Sequence, residues 1–138
     1  MRTGPVLLVE DSEDDEILTL RALKDARVGN SVTIARDGQE AIDYLSKTDN
    51  DLPAVVLLDL NLPKVSGLEV LAWIRNQPRT RLVPVVCLTS STEQRDLLAG
   101  YESGCNSYIC KPVEFTEFSN VIAQLGMYWL LVNETPPS

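Results

Sequence analysis

Histidine is absent from this sequence of 138 residues. Its absence excludes catalysis by a histidine acid or base, and it excludes a phosphohistidine carried by this chain. Basic residues are also few, because 12 lysines and arginines stand against 20 aspartates and glutamates, and the net charge is −8. Without a basic stripe to offset these acids, we expect no nucleic-acid partner. The charge suits a bound cation or a protein partner with a basic docking surface.

Signal peptides, membrane spans and thiol metal sites are missing as well. The short amino terminus is interrupted by Glu10 and Asp11, which a signal peptide would not contain. No apolar run approaches the roughly 18 residues that a membrane span requires, so the sequence predicts a cytoplasmic protein with no membrane partner. The three cysteines, Cys87, Cys105 and Cys110, lack metal-ligand spacing. We interpret them as reduced packing thiols, with a redox pair of Cys105 and Cys110 as the alternative.

Short apolar runs alternate with segments whose apolar residues recur at every third and fourth position. The runs are Val6–Val9, Val32–Ala35, Ala54–Leu58, Val83–Leu88 and Ser107–Cys110. This alternation predicts an α/β fold with a parallel sheet and helices on both of its faces. The length suits one domain, which we place at residues 1–132, with 133–138 as a short proline-containing tail and no output domain.

The central run, Ala54–Leu58, is the strongest strand signal in the chain. Its apolar residues do not alternate with polar ones, so we expect a strand that is buried on both faces. Asp59 follows where this strand should end, which is where open α/β sheets bind their ligands. The alternative role for Asp59 is to cap the next helix, but Ser66 stands closer to that helix and is the better cap. We therefore favour a functional Asp59.

Two further acids follow the first apolar run. Glu10 and Asp11 should meet Asp59 if the first and third strands are neighbours, because parallel strands end at the same edge of the sheet. Carboxylates this close repel one another, so they either take up protons or hold a cation. Oxygen ligands of this kind suit magnesium. We interpret the next acids, Glu13–Glu16, as a solvated acidic turn at the start of a helix.

Hydroxyl groups and one ammonium group reach the same edge. Thr89, Ser90 and Ser91 follow the fourth run, and Lys111 follows the fifth. A lysine there can pair with a carboxylate or a phosphoryl oxygen. A cis bond before Pro112 would aim Lys111 inward, but the sequence leaves the isomer open. Together these groups indicate a site for an anionic group on Asp59.

These motifs resemble the receiver domains of two-component response regulators. The matching segments are Val9–Asp11, Leu58–Pro63, Ser66–Glu69, Leu88–Ser90 and Tyr108–Pro112. They occur in the family's order, and the resemblance extends from about Pro5 to Leu125. It implies a flavodoxin-like receiver fold, a five-stranded doubly wound sheet with the strand order 2-1-3-4-5. It also implies a phosphoacceptor signalling protein rather than an enzyme.

The resemblance implies a role for each acid of the pocket. Asp59 would accept a phosphoryl group from the phosphohistidine of a sensor histidine kinase. Magnesium would be bound by Glu10, Asp11, the Asp59 carboxylate and the backbone carbonyl of Asn61. The modification would then switch a surface for protein–protein interaction.

The resemblance also implies the residues that respond to the phosphoryl group. Lys111 would contact it, Thr89 would bond to it after transfer, and Tyr108 would turn inward when Thr89 moves. Asn61 and Ser91 stand at the positions that tune hydrolysis in the family. Because neither is bulky or basic, we expect water to reach the acyl phosphate and self-dephosphorylation to be moderate.

The carboxyl-terminal helix, predicted from Glu114 to about Leu131, carries more apolar surface than one core-facing stripe needs. Extra core packing is one explanation, and self-association through an exposed patch is the other. The predicted dimer surface comprises Tyr128, Trp129, Leu130 and Leu131. This end of the chain resembles the small regulators paired with bacterial phytochromes, which implies a homodimer and a bacteriophytochrome as the kinase.

Three other functions compete with this interpretation. A phosphohydrolase with an aspartate nucleophile usually needs a second acid two residues later, and here that position is Asn61. A flavin or nucleotide module would need a glycine-rich phosphate loop after a strand, which the sequence lacks. The third is a docking module of the receiver type that works without phosphorylation, and the intact set of acids, hydroxyl and lysine counts against it.

Overall fold

The computed structural model describes residues 4–90 and 104–125. Within them lie five strands and four helices. The strands are β1 (Val6–Val9), β2 (Val32–Ala35), β3 (Val55–Asp59), β4 (Val85–Thr89) and β5 (Ser107–Cys110). The helices are α1 (Glu13–Asp25), α2 (Gly38–Ser46), α3 (Gly67–Asn76) and α4 (Phe115–Gln124).

All strand pairs in the sheet are parallel, and their order is β2-β1-β3-β4-β5. This confirms the predicted topology. The register pairs Val9 of β1 with Leu58 of β3, so the residues that follow these two lie side by side. The acids after β1 and at the end of β3 therefore share one edge of the sheet.

The helices cover both faces of the sheet, as the alternation of runs predicts. Apolar residues of α1 and α4 pack on one face, and they include Ala22, Leu23 and Phe118. Those of α2 and α3 pack on the other face. Every residue of β1, β3 and β4 is buried between the two layers of helices. This explains why apolar and polar residues do not alternate in these strands.

Two strands end one residue later than the apolar runs predict. Asp59 is the last residue of β3 and pairs with Leu88, and Thr89 is the last residue of β4 and pairs with Cys110. Both strands also begin later, at Val55 and Val85. The apolar runs did not include Asp59 and Thr89, because their side chains are polar. Their backbones nevertheless pair with the neighbouring strands. Both groups are therefore held by the sheet itself.

Side-chain caps fix where three of the helices begin. The side chains of Ser12, Asp37 and Ser66 accept hydrogen bonds from the backbone N–H three residues later, at 3.3, 2.8 and 3.2 Å. Ser66 thus caps α3, as predicted, and Asp59 is not needed for that role. The structure of Ser91, and of the dimer residues Tyr128, Trp129, Leu130 and Leu131, lies outside the described residues.

The helix α4 ends at Gln124 with Leu125 as its C-cap, which is earlier than predicted, and residues 126–131 of the predicted extension lie outside the described residues. Within the described ranges, no helix has both the length and the apolar character that crossing a membrane requires. The cysteines Cys87, Cys105 and Cys110 are all free thiols. Cys105 forms a side-chain hydrogen bond with Cys87, and its Sγ atom donates to the Ser107 carbonyl oxygen at 2.6 Å.

Candidate functional site

Three carboxylates converge where β1 and β3 end. One oxygen from each of Glu10, Asp11 and Asp59 lies within 4.8 Å of the other two. Glu10 and Asp59 are 0% and 1% exposed, whereas Asp11 is open to solvent. The cluster is therefore closed on the side of Glu10 and Asp59 and open to solvent at Asp11, so a small ion or group can enter from that side.

Asp59 is held at both carboxylate oxygens. Its Oδ1 atom accepts a hydrogen bond from the backbone N–H of Asn61 at 3.0 Å. Its Oδ2 atom accepts one from the Lys111 ammonium group at 3.1 Å. The carboxylate is fixed in orientation, and a neutralising positive charge lies beside it.

Lys111 contacts three acids from three parts of the fold. Its Nζ atom lies 2.9 Å from Asp15 Oδ2, 3.1 Å from Asp59 Oδ2 and 3.3 Å from Glu10 Oε2. Burial lowers the pKa of Lys111, but the hydrogen bond to Asp15 and the charges of Asp59 and Glu10 outweigh it, and the pKa lies above its usual range. Lys111 is therefore an ammonium ion at neutral pH. The bond from Lys111 to Pro112 is cis.

Glu10 is the acid of the cluster whose pKa is raised by its surroundings. Burial, followed by the neighbouring Asp59, raises its pKa to about 8, although Lys111 acts in the opposite direction. Its Oε2 atom accepts hydrogen bonds from Ser12 N–H and from Lys111, both at 3.3 Å. Its Oε1 atom is buried and has no hydrogen-bond partner within the described part of the chain. A buried oxygen of this kind fits a hard cation, and the cluster consists of oxygen donors only.

Of the other predicted residues within the described ranges, Asn61 follows β3, Thr89 ends β4 and Tyr108 lies within β5. Thr89 is completely buried, and its carbonyl oxygen accepts a hydrogen bond from Lys111 N–H at 2.8 Å. The side-chain amide of Asn61 donates to Ser90 Oγ at 3.2 Å, which joins the loops after β3 and β4. Tyr108 lies on β5 and is 37% exposed, so its ring reaches the surface.

The sequence-based interpretation missed the role of the acids from Glu13 to Glu16. They are not simply a solvated turn, because Asp15 contacts Lys111 and Glu16 forms an ion pair with Arg36. The sequence position of Asp15 could have indicated this role, since Asp15 stands in the first turn of a helix that begins directly after the acidic cluster. Its partner could not be read from the sequence, because β5 reaches this edge only in the folded sheet.

Comparisons with known proteins agree with this geometry. A model of the family "response regulator receiver domain" matches residues 6–123. The probable methanogenesis regulatory protein FilR2 of Methanothrix harundinacea is 40% identical over 134 residues, which cover 95% of this chain and 86% of that protein. Response regulator Rcp1 of Synechocystis sp. is 36% identical over 129 residues, covering 91% of this chain and 88% of that protein.

Solved structures are also similar. The bacteriophytochrome response regulator AtBRR is 49% identical with a TM-score of 0.87, covering 97% of this chain and 100% of that one. The Mn²⁺-bound form of Rcp1 and the phosphorylated cyanobacterial phytochrome response regulator RcpA are each 35% identical, with a TM-score of 0.74 and coverage of 98% of this chain and 99% of theirs. This chain therefore belongs to the receiver-domain family of two-component response regulators, and its structural relatives include regulators of bacterial phytochromes.

Proposed function

We propose that this receiver accepts a phosphoryl group on Asp59 from a sensor histidine kinase, and that the modification switches a surface for protein–protein interaction. The observation that carries the proposal is the setting of Asp59. Its carboxylate is almost fully buried at the end of β3, is oriented by Asn61 N–H and lies 3.1 Å from an ammonium group. A solvated or purely structural aspartate would not need this environment.

The chemistry that follows is an in-line displacement at phosphorus. An Asp59 carboxylate oxygen forms the new bond to phosphorus, the bond from phosphorus to the imidazole nitrogen of the kinase breaks, and the electron pair returns to that nitrogen. Such transfers depend on positioning and charge neutralisation more than on covalent help from the protein. Lys111 supplies a positive charge for the phosphoryl oxygens, and it is already in contact with Asp59.

Magnesium fits the same site. Glu10, Asp11, Asp59 and the backbone carbonyl of Asn61 would hold it, and when bound it would neutralise charge on the phosphoryl oxygens. The buried Oε1 atom of Glu10, which has no hydrogen-bond partner among the described residues, supports this assignment, as does the all-oxygen donor set. A relative, Rcp1, has been solved in a Mn²⁺-bound form.

The switch would start at Thr89 and Tyr108. A phosphoryl group on Asp59 adds a double negative charge and several acceptor oxygens. The hydroxyl of Thr89 would donate to one of these oxygens, and Tyr108, now partly exposed on β5, would turn inward as Thr89 moves. With Asn61 and Ser91 at the flanking positions, we expect self-dephosphorylation at a moderate rate.

The partners are inferred from the relatives. Because structural relatives are named as phytochrome response regulators, we propose a bacteriophytochrome as the kinase, in the cytoplasm. We also propose a homodimer through Tyr128, Trp129, Leu130 and Leu131. Sedimentation of the wild type and of Trp129→Ser tests the dimer: the variant should be monomeric at concentrations where the wild type is dimeric.

The phosphoacceptor is tested by mass spectrometry of the intact protein after incubation with Mg²⁺ and either acetyl phosphate or a phosphorylated histidine kinase. We expect an increase of about 80 Da, the mass of one phosphoryl group, in the wild type. Asp59→Asn should show no increase, and Asp51→Asn, the same change at an exposed loop position, should behave like the wild type. No adduct on the wild type from either donor would leave the phosphorylation-independent docking module as the better description.

A further inference from the structure

Asp15 makes the shortest of the three contacts of Lys111. Its Oδ2 atom lies 2.9 Å from Lys111 Nζ, compared with 3.1 Å for Asp59 and 3.3 Å for Glu10. Lysine has three N–H donors, and each of these carboxylates can accept one. The ammonium group is therefore held between an acid on α1, the acid after β1 and the acid that ends β3.

The backbone of Asp15 is fixed on both sides. Its N–H donates to the capping side chain of Ser12 at 3.3 Å, and its carbonyl accepts from the Thr19 hydroxyl at 2.8 Å. The side chain takes no part in the cap and points to Lys111. Asp15 also lies outside the group of acids that could hold a metal ion. Its carboxylate thus stays available to Lys111 when Glu10 and Asp59 have other ligands.

We propose that Asp15 is a positioning residue for phosphoryl transfer, whose carboxylate anchors the Lys111 ammonium group so that one of its N–H groups faces the oxygens on Asp59. The inference rests on the proposed function of Asp59. Asp15 itself forms no bond to the phosphoryl group. In the reaction with acetyl phosphate, the new bond joins phosphorus to an Asp59 oxygen, and the bond to the acetate oxygen breaks with its electron pair leaving on acetate.

The physical reason is the flexibility of lysine. Its side chain has four rotatable bonds, and a free ammonium group would have to be ordered again at each transfer. An anchor on the helix side restricts the ammonium group beforehand, which lowers the entropy lost on reaching the transition state. The anchor must leave the remaining N–H groups free to contact Asp59 and its phosphoryl oxygens. Asp15 meets this condition, because it contacts the ammonium group through one oxygen, Oδ2.

The test measures the rate at which purified protein takes up a phosphoryl group from acetyl phosphate with Mg²⁺, over a range of donor concentrations. We expect the maximal rate of Asp15→Asn to fall about five-fold or more, because the loss is one of positioning. The donor concentration at half-maximal rate should change little, since Asp15 does not touch the donor. Asp15→Glu, which keeps a carboxylate within reach of Lys111, should recover part of the rate.

Asp14→Asn is the matched control. It removes the same charge from the same helical turn, but Asp14 is exposed and lies outside the site. Its rate should stay within about two-fold of the wild type, because exposed charges are screened by salt. In a Lys111→Met background, Asp15→Asn should cause no further loss, since its effect passes through Lys111. An Asp15→Asn rate equal to that of Asp14→Asn, or higher than the wild type, would overturn the inference.

A second readout needs neither metal nor phosphoryl donor. Urea unfolding in EDTA of the wild type, Asp15→Asn, Lys111→Met and the double variant forms a double-mutant cycle. We expect Asp15→Asn to lower the urea midpoint only when Lys111 is present, and purely additive shifts would contradict the contact. A wild type that takes no phosphoryl group from any donor would instead remove the proposed function of Asp59, whatever the cycle shows about Asp15.

Discussion

At the scale of single residues, Glu10 shows how the folded site changes the chemistry of an ordinary side chain. Its pKa rises to about 8 because it is buried beside Asp59, whereas the same acid in an unfolded chain has its ordinary pKa of 4.5. Between these values the folded protein holds a proton that the unfolded chain has released. Stability from this residue is therefore present at low pH and is lost as the pH rises toward about 8.

This sign gives a prediction for the metal-free protein. The free energy of unfolding of the wild type should fall between about pH 5 and pH 8 relative to Glu10→Gln, by at most about 1.4 kcal/mol per pH unit. Urea unfolding in EDTA at several pH values measures this difference. The glutamine keeps the shape and removes the titration. Parallel curves for the two proteins would show that Glu10 is ionised throughout this range.

Cys105 is the second residue whose reactivity depends on its neighbours. A hydrogen bond from the Cys87 thiol lowers the pKa of Cys105 to about 7, although burial acts in the opposite direction. The same contact and burial raise the pKa of Cys87. We expect iodoacetamide at about pH 7 to modify Cys105 well before Cys87, because the thiolate is the nucleophile.

Peptide mass spectrometry after brief alkylation measures the order of modification. Cys87→Ala removes the hydrogen-bond donor, so it should slow the alkylation of Cys105 at about pH 7, because the fraction of thiolate falls when the pKa of Cys105 rises. Equal rates for Cys87 and Cys105 in the folded wild type would contradict the prediction.

At the scale of elements, the start of α3 is packed directly against the end of β3. A Cβ atom added to Gly67 would lie 2.3 Å from the Asp59 carbonyl oxygen and 2.5 Å from the Leu60 Cα atom. These are backbone atoms, so no side chain can move aside to make room. The glycine after the Ser66 cap thus allows α3 to approach the strand that carries Asp59.

Gly67→Ala should therefore push α3 away from β3. We expect a loss of about 1–3 kcal/mol in the free energy of unfolding, as for other overpacked positions, together with slower labelling of Asp59. Urea unfolding and intact-mass labelling measure the two effects. Ala72→Ser, a change of similar size at an exposed position of α3, should shift stability by no more than about 0.5 kcal/mol. A Gly67→Ala variant as stable as the wild type would mean that α3 does not pack this tightly.

At the scale of the whole molecule, the excess of acidic residues means that binding of a cation should increase the stability of the fold. The chain carries a net charge of −8, and three of its acids share one small cluster. A divalent cation that binds only the folded state stabilises it by mass action, by about 2.7 kcal/mol at a concentration 100 times the dissociation constant. Removing the cation with EDTA should reverse the gain.

We expect Mg²⁺ to raise the melting temperature of the wild type and to leave that of Glu10→Gln/Asp11→Asn nearly unchanged. The control is Asp49→Asn/Asp51→Asn, which removes two exposed acids from a loop away from the cluster. It should respond to Mg²⁺ as the wild type does. Differential scanning calorimetry measures all three proteins. A response shared by every variant would indicate screening of the net charge instead of a specific site.

The order of the elements and the chemistry at the strand ends can both be predicted from the amino-acid pattern. Uninterrupted apolar runs marked the buried strands, and Glu10, Asp11, Asp59 and Lys111 followed these runs at the positions where parallel strands present ligands. Local features such as the Ser66 cap were also readable, because a cap depends on residues only three apart. The exact strand ends were not, since Asp59 and Thr89 pair through their backbones and their side chains give no sign of it.

Which of these groups act on one another depends on the folded arrangement of the elements. Asp15 belongs to a helical turn whose sequence predicts a solvated position, yet in the folded protein its Oδ2 atom lies 2.9 Å from Lys111 Nζ. The protonation of Glu10 and the reactivity of Cys105 depend in the same way on burial and on neighbours from other strands. These are properties of pairs of atoms on elements far apart in the chain, and folding alone sets the distance between them.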